Sequence, residues 1–292
     1  MSTPFFLHDQ DSYQRWRDHK LANAITRTDE LIVEINDPYA PTPAERAALL
    51  ARCRRSNMVI YASARREDDE QMVRAFGRQF GLESLDANWL ADDQGITRIT
   101  VCANEGQRQS YIPYTNHAIK WHTDGYYNTP QRMIRAMVLH CVHSAGAGGD
   151  NRLMDHEMAY LLLREANPDY IHALMQPDAM IIPERTDEHG VARAAQAGPV
   201  FIIDPYTHDL NMRYTARTRS IEWHDDPLTR AAVKALEDLL ASDSPHIHHA
   251  RLESGMGVLC NNVLHDRSAF VDGSDHQRLL YRARYHDRIV LG

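Results

Sequence analysis

Trp121-His122-Thr123-Asp124-Gly125 is the stretch on which the reading of this chain turns. In an extended segment side chains i and i+2 point the same way, so His122 and Asp124 converge on one point from a single strand. Two metal donors are then preplaced by local geometry. A distant histidine would complete a two-histidine, one-carboxylate facial triad, which leaves three positions of ferrous iron open to a chelating cosubstrate and dioxygen. Alone, the His-x-Asp pair is a weak signal in a chain with 17 histidines, most of which are expected to be ordinary surface residues.

The downstream sequence adds the weight. Gly257 to His265, Gly-Val-Leu-Cys-Asn-Asn-Val-Leu-His, reads as a buried strand that ends in a histidine. Arg278, Arg282 and Arg284 then follow at even spacing, so a strand aims all three at one face. Guanidiniums sharing a face repel unless anions compensate them, and the arginine fork suits bidentate recognition of a carboxylate. A His-x-Asp pair, a distant histidine and then arginines form a chemically coherent order for a metal centre that binds an acid.

Around these residues the chain reads as a mixed fold. Leu31 to Ile35 and Met58 to Tyr61 are strand-like, and Thr42-Pro43-Ala44-Glu45 is a capping box that opens a helix over Arg46 to Arg55. Met72, Val73, Phe76 and Phe80 have helical spacing, with Gly81 as the stop. Short apolar segments at Ile96 to Val101, Met133 to His143 and Val200 to Ile203 predict a β core, and Phe201 to Tyr214 reads as a hairpin around a polar loop. Two further helices are expected, from Asp155 to about Asn167 and from Asp226-Pro227 to about Leu240. With neither a repeat nor a low-complexity linker, a single domain over residues 1–292 is expected.

Composition excludes several classes. A net charge of −8 opposes nucleic acid as a partner, and the longest apolar run, Met158 to Leu163, is far below the roughly 20 residues of a membrane helix. The N-terminal residues lack the pattern of a signal peptide, and four scattered cysteines without a C-x-x-C pair read as reduced thiols, so a cytoplasmic location is expected. His246-Ile247-His248-His249 reads as an exposed polar loop rather than a zinc site, since no nearby carboxylate or cysteine completes the donor set. His140 and His143 fall on opposite faces of their strand and do not pair as ligands.

The chain resembles the taurine dioxygenase-like (TauD/TfdA) family of Fe(II)- and 2-oxoglutarate-dependent oxygenases. The marks are Trp121-His122-Thr123-Asp124, Leu139-His140-Cys141 followed by Gly148-Gly149-Asp150, His265-Asp266-Arg267, and Arg278-x-x-x-Arg282. The resemblance implies a double-stranded β-helix, or jelly roll, with flanking helices, an α+β fold with a mainly β core. It implies His122, Asp124 and His265 as iron ligands, Arg278 at the distal carboxylate of 2-oxoglutarate, and Arg282 near the keto-acid end and the substrate. Asn151 stands where the family commonly has threonine, and its amide can donate the same bond to the cosubstrate. Cys260-Asn261-Asn262 stands where an aspartate-asparagine-arginine type sequence is common.

With Fe(II), 2-oxoglutarate and O2 as cofactor and cosubstrates, the implied activity is oxidation, by default hydroxylation, of a small polar and anionic metabolite, with release of succinate and CO2. The expected partner is that small molecule; a homo-oligomer is compatible with the sequence. Arg282 is the first candidate for substrate contact, followed by Arg213, Tyr126 and Asn104, with Tyr127, Tyr111 and Asn116 nearby. Two rival readings use the same pocket. A zinc or manganese hydrolase would need a general base at the metal, and a catalytically silent binding protein would keep the jelly roll alone.

Overall fold

Alternation along the segment Ala136–His143 sets the architecture. Ala136, Val138 and Val142 point to one side and Met137, Leu139 and Cys141 to the other, and both sides are buried. A strand apolar on both faces needs a layer on each. The computed structural model, which describes residues 3–86, 95–101, 112–187, 190–217 and 221–291, supplies those layers.

Ten strands build the core: β1 (Ile32–Glu34), β2 (Met58–Ala62), β3 (Ile96–Ile99), β4 (Ile119–His122), β5 (Ala136–His143), β6 (Asn151–Met154), β7 (His248–Ala250), β8 (Met256–Cys260), β9 (Leu264–Arg267) and β10 (Leu279–Tyr285). The first sheet has the order β1-β2-β8-β5-β10-β3, with β1 and β2 parallel and every other pair antiparallel. The second is an antiparallel sheet of order β7-β6-β9-β4. Met137, Leu139, Val258 and Leu280 of the first sheet meet Leu153 and Ala250 of the second in one apolar cluster between them.

Helices cover the outer faces. Helix α1 (Gln10–Ala22) comes first, and α2 (Pro43–Ser56) and α3 (Glu70–Arg78) pack Leu49, Cys53, Val73 and Phe76 on the first sheet. Behind the second sheet lie α4 (His156–Ala166), α5 (Pro168–Leu174) and α6 (Pro227–Ala241), packed against Trp121, Met154 and Leu264. The capping box forms as its sequence demands: Glu45 N–H donates to Thr42 Oγ1 at 3.2 Å and Thr42 N–H to Glu45 Oε2 at 2.7 Å.

The structure departs from the sequence reading at several elements. The helix expected from Asp155 to about Asn167 forms as α4, and a further helix absent from that reading, α5, follows at once, because Asn167 caps it and Pro168 occupies its first position. The strand expected from Met133 begins at Ala136, after a 3-10 turn at Pro130–Arg132. His246 to His249 is not an exposed loop: His248 lies in β7, opposite Leu153, and is 3% exposed. Strand alternation buries His248 and Ala250 and leaves His249 outside.

Helix α1 is tied down by one buried cation. Lys20 Nζ lies 2.6 Å from both Asp155 Oδ2 and Glu157 Oε2 at the start of α4. Burial alone would push the lysine pKa down, and the two carboxylates more than reverse it, so Lys20 is held charged. Replacing Lys20 by alanine leaves two buried carboxylates facing each other. The expected loss is about 3–5 kcal/mol of unfolding free energy, read by urea titration, and a loss below about 1 kcal/mol would remove the assigned role.

Buried neutral histidines make a second expectation. Burial pushes His140 and His248 down from 6.5 to about 4, and His156 is lowered in the same direction. His140 and His248 each bind a proton on unfolding once the pH is below 6.5, so their contribution is complete above that value and lost as pH falls towards about 4. Two such groups give a slope of about 2.7 kcal/mol per pH unit in that window. Urea unfolding at pH 7, 6 and 5 checks this, and equal stability at the three values would contradict it.

Candidate metal centre and cosubstrate pocket

The two histidines meet because their strands pair. His265 of β9 is directly opposite His122 of β4 in the antiparallel register, and the rings lie 4.2 Å apart between centroids at 50°. Each Nδ1–H donates at 2.9 Å to the carbonyl two residues before it, Lys120 for His122 and Val263 for His265. That bond fixes the tautomer and leaves Nε2 as the lone-pair donor on both rings.

Asp124 arrives from the same segment. Strand β4 ends at His122, and the chain stays extended long enough for Thr123 to exchange bonds with Tyr214, N–H to carbonyl at 3.0 Å and N–H to Oγ1 at 3.1 Å. Gly125 then turns the chain at φ +67, where an added Cβ would fall 2.5 Å from Ile134 Cγ1. His122, Asp124 and His265 can each offer a donor atom such that all three atoms lie within 4.8 Å of one another.

The electrostatics suit a cation. Burial, reinforced by the facing His265, pushes His122 down to about 3, so that ring is neutral near pH 7. Burial would raise the pKa of Asp124, but Arg282 Nη1, 3.0 Å from Oδ1, and Arg284 outweigh it, and the carboxyl stays well below its usual range. Asp124 Oδ2 is buried without a hydrogen-bond partner. An ionised carboxylate with an unused buried oxygen, beside two imidazole Nε2 donors, is a donor set that fits a divalent metal.

Next to this centre a cleft opens between the sheets, with Ile99, Met137, Leu139 and Leu280 as its apolar wall. Its polar lining is His122, Asn151, His265, Asp266, Arg267, Arg278 and Arg282. Arg278 is 5% exposed, and its guanidinium lies 5.0 Å over the Phe270 ring, with no hydrogen-bond acceptor for it among the described residues. Arg267, 4.8 Å over the same ring, gives Nη2 hydrogens to the carbonyls of Thr115 and His117. Burial and the neighbouring Arg278 push Arg267 down to about 9. The Gly148-Gly149 pair has a steric reason here: a Cβ on Gly148 would fall 2.2 Å from Ala269 O, and one on Gly149 3.3 Å from Arg278 Nε.

The expected arginines, one just before β10 and two within it, separate in their surroundings. Arg278 and Arg282 line the cleft, while Arg284 bonds Tyr127 Oη at 3.0 Å and Asp86 at 2.5 Å. Asn151 also lines the cleft; its Nδ2 donates to Asp266 O at 2.8 Å and its Oδ1 has no partner.

Arg213, expected near an anionic substrate, is a correction. Its guanidinium donates to four backbone carbonyls, those of Tyr126, Met180, Gly198 and Gln196 at 2.7–3.2 Å, so it ties the turn at Tyr126 to the paired strands Met180–Ile182 and Gln196–Gly198. Tyr126 contributes one of those carbonyls, and its hydroxyl accepts from Arg217 at 3.3 Å. Asn104 and Tyr111 lie outside the described residues, and Asn116 is exposed with its carbonyl accepting from Phe270 N–H at 3.1 Å. Arg267 was missed as a cleft residue although its position two after His265, on the same strand face, was a usable signal.

Comparison with known proteins agrees with this geometry. The model of the family described as taurine catabolism dioxygenase TauD, TfdA family matches residues 20–284. Among curated relatives, a uridine-5'-phosphate dioxygenase of Amycolatopsis sp is 32% identical over 170 residues, 56% of this chain and 60% of its own length, so the match spans less than two thirds of that relative. A second uridine-5'-phosphate dioxygenase, of Streptomyces sp, is 27% identical over 219 residues, 72% of this chain and 77% of its own. Among solved structures, an asparagine oxygenase in complex with Fe(II), 2S,3S-3-hydroxyasparagine and succinate superposes with a TM-score of 0.59 at 15% identity, covering 83% of this chain and 79% of that one. A taurine dioxygenase from Burkholderia xenovorans gives 0.56 at 17% identity, covering 85% and 84%. These likenesses establish the jelly-roll fold. With the family model matched over nearly the whole length, the chain belongs to the TauD/TfdA dioxygenase family.

Proposed function

We propose that this protein is an Fe(II)- and 2-oxoglutarate-dependent dioxygenase that hydroxylates a small, polar, anionic metabolite. The observation that carries the reading is a His122–Asp124–His265 donor set whose two histidines line one cleft with a buried arginine, Arg278, that has no hydrogen-bond acceptor for its guanidinium among the described residues. Two curated relatives are named for uridine 5'-phosphate, which makes nucleoside 5'-monophosphates the first substrate class to test. The overall change balances as substrate C–H plus O2 plus 2-oxoglutarate giving substrate C–OH plus succinate plus CO2.

Bound iron would supply activation of dioxygen coupled to decarboxylation of the keto acid. The chain's own part is to hold, orient and exclude water. His122, Asp124 and His265 would hold the metal, with the tautomers of the two histidines and the charge of Asp124 already set. Arg278 would take the distal carboxylate of 2-oxoglutarate, with Asn151 beside it and the apolar wall of Ile99, Leu139 and Leu280 against the methylenes. Arg282 keeps Asp124 ionised and stands where the keto-acid end and the substrate would meet.

A hydrolase using the same triad is disfavoured by the lining of the cleft. The carboxylate that lines it among the described residues, Asp266, is bound by Arg152 at 2.5 Å, and the neighbouring Asp124 belongs to the donor set, so neither is a free general base. Among the described residues, no helix is long and apolar enough to cross a membrane. Cys53, Cys141 and Cys260 are free thiols, in keeping with a reducing, cytoplasmic setting for this proposed enzyme.

Anaerobic addition of Fe(II) and then 2-oxoglutarate is expected to give a weak visible charge-transfer band, absent in His265→Ala. Arg278→Ala is expected to raise the 2-oxoglutarate concentration needed by about 10- to 100-fold, the worth of a charge-assisted bond to a carboxylate. Fe(II) at 100 times its Kd should raise unfolding free energy by about 2.7 kcal/mol, reversed by chelator. With wild type, succinate release on adding uridine 5'-phosphate in air supports the substrate class. No band with wild-type protein would overturn the whole reading; a band without turnover of any nucleoside monophosphate would overturn only the substrate class.

A further inference from the structure

The turn between β8 and β9 does more than connect two sheets. Asn262 sits in it at φ +48, a left-handed conformation that asparagine adopts more readily than most residues, and is 5% exposed. Its side-chain amide uses every hydrogen-bonding group it has. Oδ1 accepts from Asp124 N–H at 2.8 Å, and Nδ2 donates to Asp124 O at 3.0 Å and to Ile134 O at 2.8 Å. The amide therefore grips both sides of the Asp124 residue, as a neighbouring strand would, where β4 has already ended at His122.

The residues on either side complete the arrangement. Asn261, 2% exposed, fastens the turn to the body of the fold: its N–H donates to Asn57 O at 2.8 Å, its Nδ2 to Asn57 Oδ1 at 3.0 Å, and its Oδ1 accepts from Ile289 N–H at 3.1 Å. Val263 offers the carbonyl that orients His265. Three consecutive residues thus hold two of the three donors: Asp124 through Asn262, His265 through Val263, and both through the anchor at Asn261.

We infer that Asn262 is a positioning residue of the metal centre, fixing the direction in which Asp124 presents its carboxylate by clamping its backbone. The inference rests on the metal reading of His122, Asp124 and His265 given above. It assigns a consequence to Cys260-Asn261-Asn262, where the sequence departs from the family's common pattern. A purely structural role would show in stability; a positioning role shows in metal affinity.

Asn262→Gly isolates the clamp, because glycine accepts the left-handed backbone without strain and removes only the amide. The control is Leu49→Ala, a cavity in the fully buried face of α2 against the other side of the first sheet, which lowers stability without touching the centre. Anaerobic calorimetric titration with Fe(II) alone is the readout, alongside the melting temperature of the metal-free proteins. Asn262→Gly should bind Fe(II) about 10- to 100-fold more weakly than wild type, as loss of an outer-shell partner does, while Leu49→Ala binds within about twofold of wild type. An Fe(II) affinity of Asn262→Gly within about twofold of wild type would overturn the inference, as would an equal weakening in Leu49→Ala. If the glycine variant does not fold, Asn262→Ala is judged by the same criterion. Failure of wild-type protein to bind Fe(II) would instead strike the underlying metal reading.

Discussion

The pairing of His265 with His122 across β9 and β4 is the constraint on which the rest of the molecule depends. A shift of one residue would turn one imidazole to the opposite face of the sheet and dissolve the donor set. The register is therefore defended on both flanks. On one side β9 pairs with β6, setting His265 opposite Leu153, and on the other the segment after β4 is held by Tyr214 and by the amide of Asn262. Burial of Leu264, Trp121 and Met154 against the helices behind the second sheet adds the apolar contribution that favours this register.

Charge is the second constraint, because the centre concentrates ionised groups where water is scarce. Arg282 and Arg284 both act on Asp124, and Arg284 is itself balanced by Asp86, which also takes Arg132 at 2.6 Å. Buried charges of this kind are tolerable only in a closed account of partners, since removing one leaves another desolvated and alone. Arg278 stands apart in lacking a hydrogen-bonded acceptor among the described residues. An anionic ligand is the natural complement, and the cleft leads from that guanidinium to the two imidazoles.

Much of this was legible in the one-dimensional pattern. The capping box at Thr42, the proline starts of α2 and α6, the double-sided strand β5 and the His-x-Asp geometry are all consequences of spacings of two to four residues. The resemblance to the TauD/TfdA family located His265 and Arg278 as well. Other readings failed where local pattern has no authority. Arg213 looked available for an anion because its carbonyl partners lie up to 87 residues away in the chain, and the histidines at 246–249 looked exposed because nothing near them announces that β6 will pair with the strand of His248.

The sequence by itself determined which donors this protein can offer, on which strand faces they stand and which helices can begin where, because those properties follow from bonded geometry over a few residues. Only the tertiary structure decided that His122 faces His265, that Arg282 rather than Arg213 reaches the centre, and that an asparagine from a distant turn grips Asp124. Those pairings join residues separated by 138 to 158 positions. Their selection depends on burying both faces of two sheets while pairing most of the polar groups trapped between them, a condition imposed on the whole chain at once.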